Sequence, residues 1–244
     1  MKYLQPDKGK KVGLLLDPDK AGGDALINIL RISEETRADF ILAGGSLTFN
    51  NIDPLIDLIR QNCSLPVILF PGNLLQLSRK ADAILLLSLI SGRNPELLIG
   101  NHVIAAPYLK DVKEKLIPVG YVLVSCGPRT SVEYISQTEG IPSDKPEIVV
   151  ATAMAGEMLG LKMIYLEAGS GAGTHVPVEI ISAVRENISV PIAVGGGIRD
   201  KDEIRKIFDA GADMIILGNG CEKRPGLLRD ACSVRDEYRK PEKA

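Results

Sequence analysis

Residues 165–173 read Tyr165-Leu166-Glu167-Ala168-Gly169-Ser170-Gly171-Ala172-Gly173, an apolar strand that ends in an acid and continues into glycine-rich backbone. Two strands of the same kind follow it. Residues 192–194 precede Gly195-Gly196-Gly197, and residues 214–217 precede Gly218-Asn219-Gly220. Glycine lets the backbone approach a ligand closely, and free N–H groups at a helix start attract anions. Three such sites on consecutive strands predict a pocket for a phosphorylated small molecule.

Short apolar runs recur along the whole chain, as expected of parallel strands that are buried on both faces. Eight of them are predicted to be strands: residues 12–16, 40–43, 67–70, 83–89, 117–124, 163–167, 192–194 and 214–217. The segments between them show helical spacing or helix caps, among them Asn94-Pro95 and Asp200. We therefore predict an α/β fold, a TIM-like eight-stranded parallel β/α barrel of eight strand-then-helix units, rather than an open doubly wound sheet. A chain of 244 residues fits one such domain, residues 1–244.

The composition excludes several classes of function. A net charge of −2 gives no general attraction to nucleic acid. The apolar runs are too short to span a bilayer, and the first residues lack a signal-peptide core, so we expect a cytoplasmic protein. Four scattered cysteines predict free thiols, and only two histidines make a multi-imidazole zinc site improbable.

The first two predicted strands end in polar residues that suit a magnesium site. Asp17 follows the first strand and Ser46 the second, and the ends of neighbouring barrel strands meet at the rim. One carboxylate and one hydroxyl, completed by water and a diphosphate, are plausible ligands of Mg²⁺. The alternative is that Asp17 and Asp19 only cap a turn, and for Asp19 we favour that interpretation.

Glu167 is the second acid of interest, because a buried carboxylate is costly unless it is paired or bound to a ligand. The adjacent glycines favour a ligand, although a pairing with an inward-pointing Lys or Arg remains an alternative. Tyr165 lies on the same strand face, so its hydroxyl either contacts the same substrate or packs in the barrel.

A long irregular segment, residues 125–146, follows the fifth strand, and we expect it to cover the active site. Five other polar side chains either reach the ligand or are solvated or structural: Lys20, Arg93, Arg129, Lys145 and His175.

Taken together, six motifs in this order resemble the geranylgeranylglyceryl phosphate synthase family, over nearly the whole chain. They are Leu16-Asp17-Pro18-Asp19-Lys20, Gly44-Gly45-Ser46-Leu47-Thr48, Ser88-Leu89-Ile90-Ser91-Gly92-Arg93-Asn94-Pro95, Tyr165 to Ala172, Val194-Gly195-Gly196-Gly197-Ile198, and Gly218-Asn219. The closest resemblance is to the branch found in many archaea and some bacteria.

The resemblance implies a prenyltransferase that joins sn-glycerol 1-phosphate to geranylgeranyl or another polyprenyl diphosphate and releases diphosphate. It implies that Asp17 and Ser46 bind Mg²⁺, with Glu167 as the catalytic base or an orienting group. The residues that the resemblance implies for glycerol phosphate binding are Tyr165, Leu166, Glu167, Ala168, Gly169, Ser170, Gly171, Gly196, Gly197, Gly218 and Asn219. It also implies a homo-oligomer, and the lipid product suggests at most transient contact with a membrane.

One position departs from the family pattern. The shorter bacterial branch has a lysine two residues before the first aspartate, and this chain has Leu15 there. Two rival functions stay open at this point: another phosphate-binding barrel enzyme, such as an isomerase or lyase, and a non-catalytic phosphate-binding module.

Overall fold

The computed structural model describes residues 9–218, 220–221 and 224–239. Eight parallel strands close into a barrel in the order β4-β3-β2-β1-β8-β7-β6-β5, with β4 also paired to β5. The barrel strands are β1 (Lys11–Leu16), β2 (Phe40–Gly45), β3 (Val67–Pro71), β4 (Ala83–Leu89), β5 (Leu116–Ser125), β6 (Met163–Glu167), β7 (Ile192–Gly195) and β8 (Met214–Leu217). A further strand of two residues, Ile141–Pro142, pairs in parallel with the end of β5. All eight predicted strands are present, and the predicted barrel is confirmed.

Helices alternate with most of the strands. They are α1 (Gly23–Glu35), α2 (Ile52–Asn62), α3 (Asn101–Leu109), α4 (Ser131–Ser136), α5 (Pro146–Met158), α6 (Val178–Asn187), α7 (Lys201–Asp209) and α8 (Gly226–Glu237). Two predicted caps are confirmed. The Asn94 side chain accepts a hydrogen bond from the Glu96 N–H at 3.1 Å, and Asp200 accepts from the Asp202 and Glu203 N–H groups at 2.9 Å.

The prediction of eight strand-then-helix units is wrong at one place. Residues 72–82, between β3 and β4, contain only the 3₁₀ helix Leu74–Gln76. The two strands also separate early, since they pair only at Ile68–Ala83 and Leu69–Ile84, whereas β4 stays paired with β5 up to Leu89. The barrel wall is therefore open between the upper parts of β3 and β4, where no α-helix covers it.

The core has two layers. Leu, Ile and Val side chains fill the space between the strands and the surrounding helices. Inside the barrel, the larger side chains of alternate strand positions meet, among them Phe40 and Met214. The Phe40 ring fits because β1 has a glycine opposite it: a Cβ on Gly13 would lie 2.2 Å from the ring.

A buried arginine joins the C-terminal helix to the bottom of the barrel. The Arg235 side chain is fully buried and donates to the backbone carbonyls of Thr36 and Arg37 and to Asp39 Oδ2, the last at 2.8 Å. The same Asp39 oxygen accepts from the Val12 N–H at 2.8 Å. This network ties α8 to the loop before β2 and to β1.

Cys63, Cys126 and Cys232 are free thiols, as predicted. Within the described ranges, no helix combines the length and the apolar character that crossing a membrane requires.

Candidate active site at the barrel mouth

The register of the sheet brings two tyrosines and the predicted acid together. Tyr121 on β5 lies beside Tyr165 on β6, and Glu167 lies beside Gly195 on β7. Because strand side chains alternate, Tyr121, Tyr165 and Glu167 all point into the barrel. The two phenol rings stack with their centroids 5.3 Å apart, and the Phe70 ring meets Tyr165 edge-on at 5.5 Å.

Glu167 is 7% exposed, and its carboxylate is held by three partners. The Gly169 N–H donates to Glu167 Oε1 at 2.6 Å, and the hydroxyls of Tyr121 and Tyr165 form the other hydrogen bonds. Burial raises the pKa of Glu167 to about 7, and the three hydrogen bonds oppose that rise. A carboxyl group with this pKa exchanges a proton readily near neutral pH.

Glycines beside Glu167 leave room for the side chains of Glu167 and Tyr165. A Cβ on Gly196 would lie 2.5 Å from Glu167 Oε1, and one on Gly195 would lie 2.2 Å from the Tyr165 hydroxyl. Gly171, Gly196 and Gly197 also have positive φ angles, of 80°, 81° and 69°, which L-residues with side chains rarely adopt. Only glycine fits this backbone, which lies at the carboxyl ends of β6 and β7.

These ends open into a cavity of about 900 Å³. Seven of the predicted binding residues line it: Tyr165, Glu167, Ser170, Gly171, Gly196, Gly197 and, after β8, Gly218. The Leu166 and Ala168 side chains point away, into the layer under the helices. Asn219 lies outside the described residues. Leu15 also lines the cavity, and the cations among its lining residues are Lys20, Arg129 and Arg199.

The predicted metal ligands, Asp17 after β1 and Ser46 after β2, both line the same cavity. Gly45, the residue before Ser46, lies against Asp17: a Cβ on Gly45 would be 3.3 Å from Asp17 Oδ2. The Lys20 ammonium is 2.7 Å from the same oxygen. Within the described ranges, no group of three or more His, Cys, Asp or Glu side chains is arranged to hold a metal ion.

Asp19 acts differently from the turn cap that we predicted. Its carboxylate accepts hydrogen bonds from the backbone N–H groups of Phe49 and Asn50, at 2.7 and 2.9 Å, and so holds the loop after β2. Asp17 makes the turn contact instead, since its Oδ1 accepts from the Asp19 N–H at 3.0 Å. The loops that follow β1 and β2 are therefore linked through these two acids.

A second, apolar cavity of about 140 Å³ adjoins the first. Residues that line both include Ser46, Phe70, Tyr121, Val132 and Ile135. Beyond them the apolar cavity is walled mainly by leucines of β4 and of the β3–β4 connection, with α3 on its far side. It follows the opening between β3 and β4, which suits a long apolar group.

The segment after β5 borders both cavities, in agreement with the expectation that it covers the site. The lining includes Thr130, Val132 and Ile135 from its α4 region. A buried Glu133 holds this segment, because its carboxylate accepts from the Thr130 N–H at 2.7 Å and the Gly140 N–H at 3.1 Å.

Other predicted candidates lie away from the cavities. Arg93 donates to the carbonyls of Ile90 and Gly92, Lys145 pairs with Asp144, and the His175 ring contacts the Val176 carbonyl at 2.7 Å. Tyr121 and Arg199 also line the large cavity, and neither was predicted from the sequence. A phenol within the otherwise aliphatic run of residues 117–124 was the available signal for Tyr121.

The architecture and the mouth define a parallel β/α-barrel protein with a glycine-lined pocket beside an acid and an apolar groove. The family model described as the PcrB family matches residues 8–233, and the chain belongs to that family.

Named relatives agree. The chain is 50% identical over 230 residues to the geranylgeranylglyceryl phosphate synthase of Spirosoma linguale, covering 94% of this chain and 92% of that one. It is 41% identical over 212 residues to the protein of the same name from Thermococcus gammatolerans, covering 86% and 83%. Among solved structures it is similar to (S)-3-O-geranylgeranylglyceryl phosphate synthase from Thermoplasma acidophilum in complex with substrate sn-glycerol-1-phosphate. That comparison has a TM-score of 0.90 and 31% identity, and covers 97% of this chain and 98% of the other.

Proposed function

We propose that this protein is a prenyltransferase that joins sn-glycerol 1-phosphate to geranylgeranyl diphosphate or a related polyprenyl diphosphate. The products are the ether-lipid precursor and diphosphate. The observation that carries the proposal is the junction of the two cavities, where Tyr121 lines both and hydrogen-bonds to Glu167. This reaction needs an anionic acceptor and an apolar donor side by side. The names of the relatives contain both groups, geranylgeranyl and glyceryl phosphate.

The acceptor site is assigned to the glycine-lined side of the large cavity. Backbone N–H groups beside Gly196, Gly197 and Gly218 bind the phosphate, in the position that barrels commonly use for this group. Arg199 adds positive charge among the lining residues, where Leu15 supplies none. The Glu167 carboxylate accepts a hydrogen bond from a glycerol hydroxyl.

The donor site is assigned to the opposite side. The prenyl chain occupies the apolar cavity and leaves through the gap between β3 and β4, while the diphosphate lies near Asp17 and Ser46. Burial of the apolar chain supplies binding energy in proportion to the area removed from water.

Asp17 and Ser46 fit a magnesium ion. Both offer hard oxygen ligands, and a site with one carboxylate leaves the remaining positions to diphosphate oxygens and water, as Mg²⁺ prefers. When bound, the ion neutralises the charge that develops on the departing diphosphate. Lys20 pairs with Asp17 and supplies a further cation beside the same oxygens.

In the reaction, the glycerol oxygen forms a bond to the first prenyl carbon. The bond between that carbon and the diphosphate oxygen breaks, and its electron pair leaves with diphosphate. The proton of the attacking hydroxyl passes to Glu167. Tyr121 and Tyr165 hold the carboxylate in place, so that its orientation contributes as well as its basicity.

Product formation from radiolabelled sn-glycerol 1-phosphate tests the proposal. The assay uses geranylgeranyl, farnesyl and heptaprenyl diphosphates, each with and without Mg²⁺, on the wild type and Asp17→Asn. We expect a butanol-extractable product that requires Mg²⁺ and is lost in Asp17→Asn. Asp24→Asn, an exposed acid in the first turn of α1, is the matched control and keeps activity. Absence of product with every donor would refute the prenyltransferase and favour another phosphate-binding barrel enzyme.

The proposal includes a homo-oligomer. Exposed apolar side chains on α3, among them Val103 and Ile104, support it because such a surface is costly to leave in water. Light scattering on wild type and Val103→Asp measures the assembly. A higher mass for the wild type than for the variant is expected, and a monomeric wild type would contradict the assignment.

Transient membrane contact is the last part of the proposal. Phe49 and Leu75 project from the loops after β2 and β3 with 86% and 90% of their surface exposed, on the side where the lipid product leaves. Co-sedimentation with anionic vesicles should fall in Phe49→Ser/Leu75→Ser. The control is Met158→Ser/Leu159→Ser, which removes two exposed apolar side chains at the opposite end of the barrel. Equal binding of both variants would exclude these loops as the contact.

A further inference from the structure

Gln76 is the most deeply buried polar side chain in the connection that replaces the helix after β3. It is 1% exposed and ends the short 3₁₀ helix Leu74–Gln76. A buried amide must find hydrogen-bond partners, since an unpaired one costs stability. All of its recorded bonds go to the backbone of glycines at the barrel mouth.

The Gln76 amide makes three such bonds. Its Oε1 accepts from the N–H groups of Gly45 and Gly72, each at 3.2 Å, and its Nε2 donates to the Gly45 carbonyl at 2.8 Å. Only this orientation of the amide satisfies two donors and one acceptor at once. The ladder between β2 and β3 ends at the Gly45–Pro71 pair. The Gln76 side chain thus continues, just beyond the strand ends, the hydrogen bonding that a strand backbone would provide.

The backbone held in this way leads directly to the diphosphate side of the site. Gly45 lies against the Asp17 carboxylate and immediately precedes Ser46, which lines both cavities. The packing there is tight: a Cβ on Gly72 would lie 2.1 Å from the Gly45 carbonyl oxygen. A displaced Gly45 would therefore move Ser46 relative to Asp17.

We propose that Gln76 is a positioning residue for the donor half of the active site. It holds the Gly45–Ser46 backbone against Asp17, and it does so where this barrel lacks the helix that would otherwise fix the loop. The inference rests on the proposed function, in which Asp17 and Ser46 face the diphosphate. Gln76 lines neither cavity and acts through Ser46 alone.

The test compares Gln76→Leu, which removes all three bonds at similar volume, with Asp82→Ala. Asp82 is the matched control because it accepts from the Val67 N–H at 2.8 Å, at the other end of the same connection and away from the mouth. Steady-state kinetics give KM for each substrate. Titration calorimetry gives the affinities for inorganic diphosphate with Mg²⁺ and for sn-glycerol 1-phosphate.

In Gln76→Leu we expect the donor KM to rise and the affinity for Mg²⁺–diphosphate to fall by roughly tenfold or more, as for other residues that orient a ligand from behind. The affinity for sn-glycerol 1-phosphate stays at the wild-type value, and Asp82→Ala changes neither. If Gln76→Leu does not fold, Gln76→Glu takes its place, because it keeps the acceptor for both N–H groups and sets an oxygen against the Gly45 carbonyl.

Folded Gln76 variants with unchanged diphosphate affinity would overturn the inference, and so would an equal loss for both ligands or in Asp82→Ala. A failure of the proposed function is distinguished from these outcomes by the wild type itself, which would then make no product or would not bind Mg²⁺–diphosphate.

Discussion

At the scale of single residues, Glu167 shows how a strand end becomes a reactive group. The pKa of its carboxyl is raised to about 7 because the barrel interior excludes water, and two phenols and one backbone N–H keep the anion from becoming costlier still. The same hydrogen bonds fix the direction of its lone pairs. Basicity and orientation therefore come from one set of contacts.

The rate of prenyl transfer should follow the ionisation of Glu167. We expect kcat to rise with pH through about 7 and then to level off, because only the carboxylate accepts the glycerol proton. Glu167→Gln should lower kcat by roughly 10²–10⁴ and flatten the profile. Glu157→Gln changes a carboxylate at the other end of the barrel and should keep the wild-type profile. A rise through neutral pH that persists in Glu167→Gln would assign the proton transfer to another group.

At the scale of elements, the β3–β4 connection determines what the barrel can bind. Because it lacks an α-helix and its strands separate after Leu69 and Ile84, the wall opens beside the mouth. The α3 helix then forms the outer wall of the apolar cavity, with Ala105 among the lining residues. Replacement of one helix by a short 3₁₀ turn converts a packed surface into a groove.

Filling that groove should change the preferred donor. In Ala105→Phe, the added ring occupies space that the prenyl chain uses, so kcat/KM for geranylgeranyl diphosphate should fall about tenfold or more relative to geranyl diphosphate. Ala106→Phe is the control, because Ala106 is exposed on the same helix and does not line the cavity. Competition between the two donors measures the preference. If the donor preference of Ala105→Phe were the same as that of the wild type, the prenyl chain would have to bind elsewhere.

At the scale of the whole molecule, stability depends on links between distant parts of the chain. Arg235 joins α8 to the bottom of the barrel through two carbonyls and Asp39, so Arg235→Met breaks a buried ion pair and leaves Asp39 with only the more distant Arg239, at 3.9 Å. We expect a loss of about 3–5 kcal/mol in the free energy of unfolding, with unchanged substrate KM values.

The control for this prediction is an exposed arginine. Arg205→Met removes an ion pair with Glu237 at 2.9 Å and should cost no more than about 1 kcal/mol. Urea titrations of both variants provide the comparison. Equal losses in the free energy of unfolding would show that the buried ion pair of Arg235 stabilises the fold no more than an exposed ion pair does.

The pH dependence of folding stability should also reflect the raised pKa of Glu167. Its pKa is about 7 in the folded state against an ordinary 4.5, so the unfolded chain ionises first as pH rises. Folding stability is then lost between those two values, by about 3 kcal/mol, and the loss is complete above them. Glu167→Gln removes this dependence. Urea titrations across this pH range should show that the free energy of unfolding of the variant increases relative to that of the wild type as pH rises. A difference that does not change with pH would mean that Glu167 has its ordinary pKa.

Local patterns in the sequence predict the eight strands, the glycines that follow the last three of them and the acids at the strand ends. Each of these is a local pattern, set by burial on both faces of a strand or by backbone that only glycine adopts. Sequence also pointed to Asp17, Ser46 and Glu167, because neighbouring strand ends must meet at one rim.

Which side chains become partners depends on the closed barrel and cannot be predicted from local patterns. Tyr121 reaches Glu167 through the register of β5 against β6, and Gln76 reaches Gly45 through a connection whose missing helix no local pattern revealed. Asp19 likewise binds the backbone of the loop after β2 and does not cap its own turn. Such contacts join residues far apart in the chain, and they exist only because closure of the barrel sets the distances between its loops.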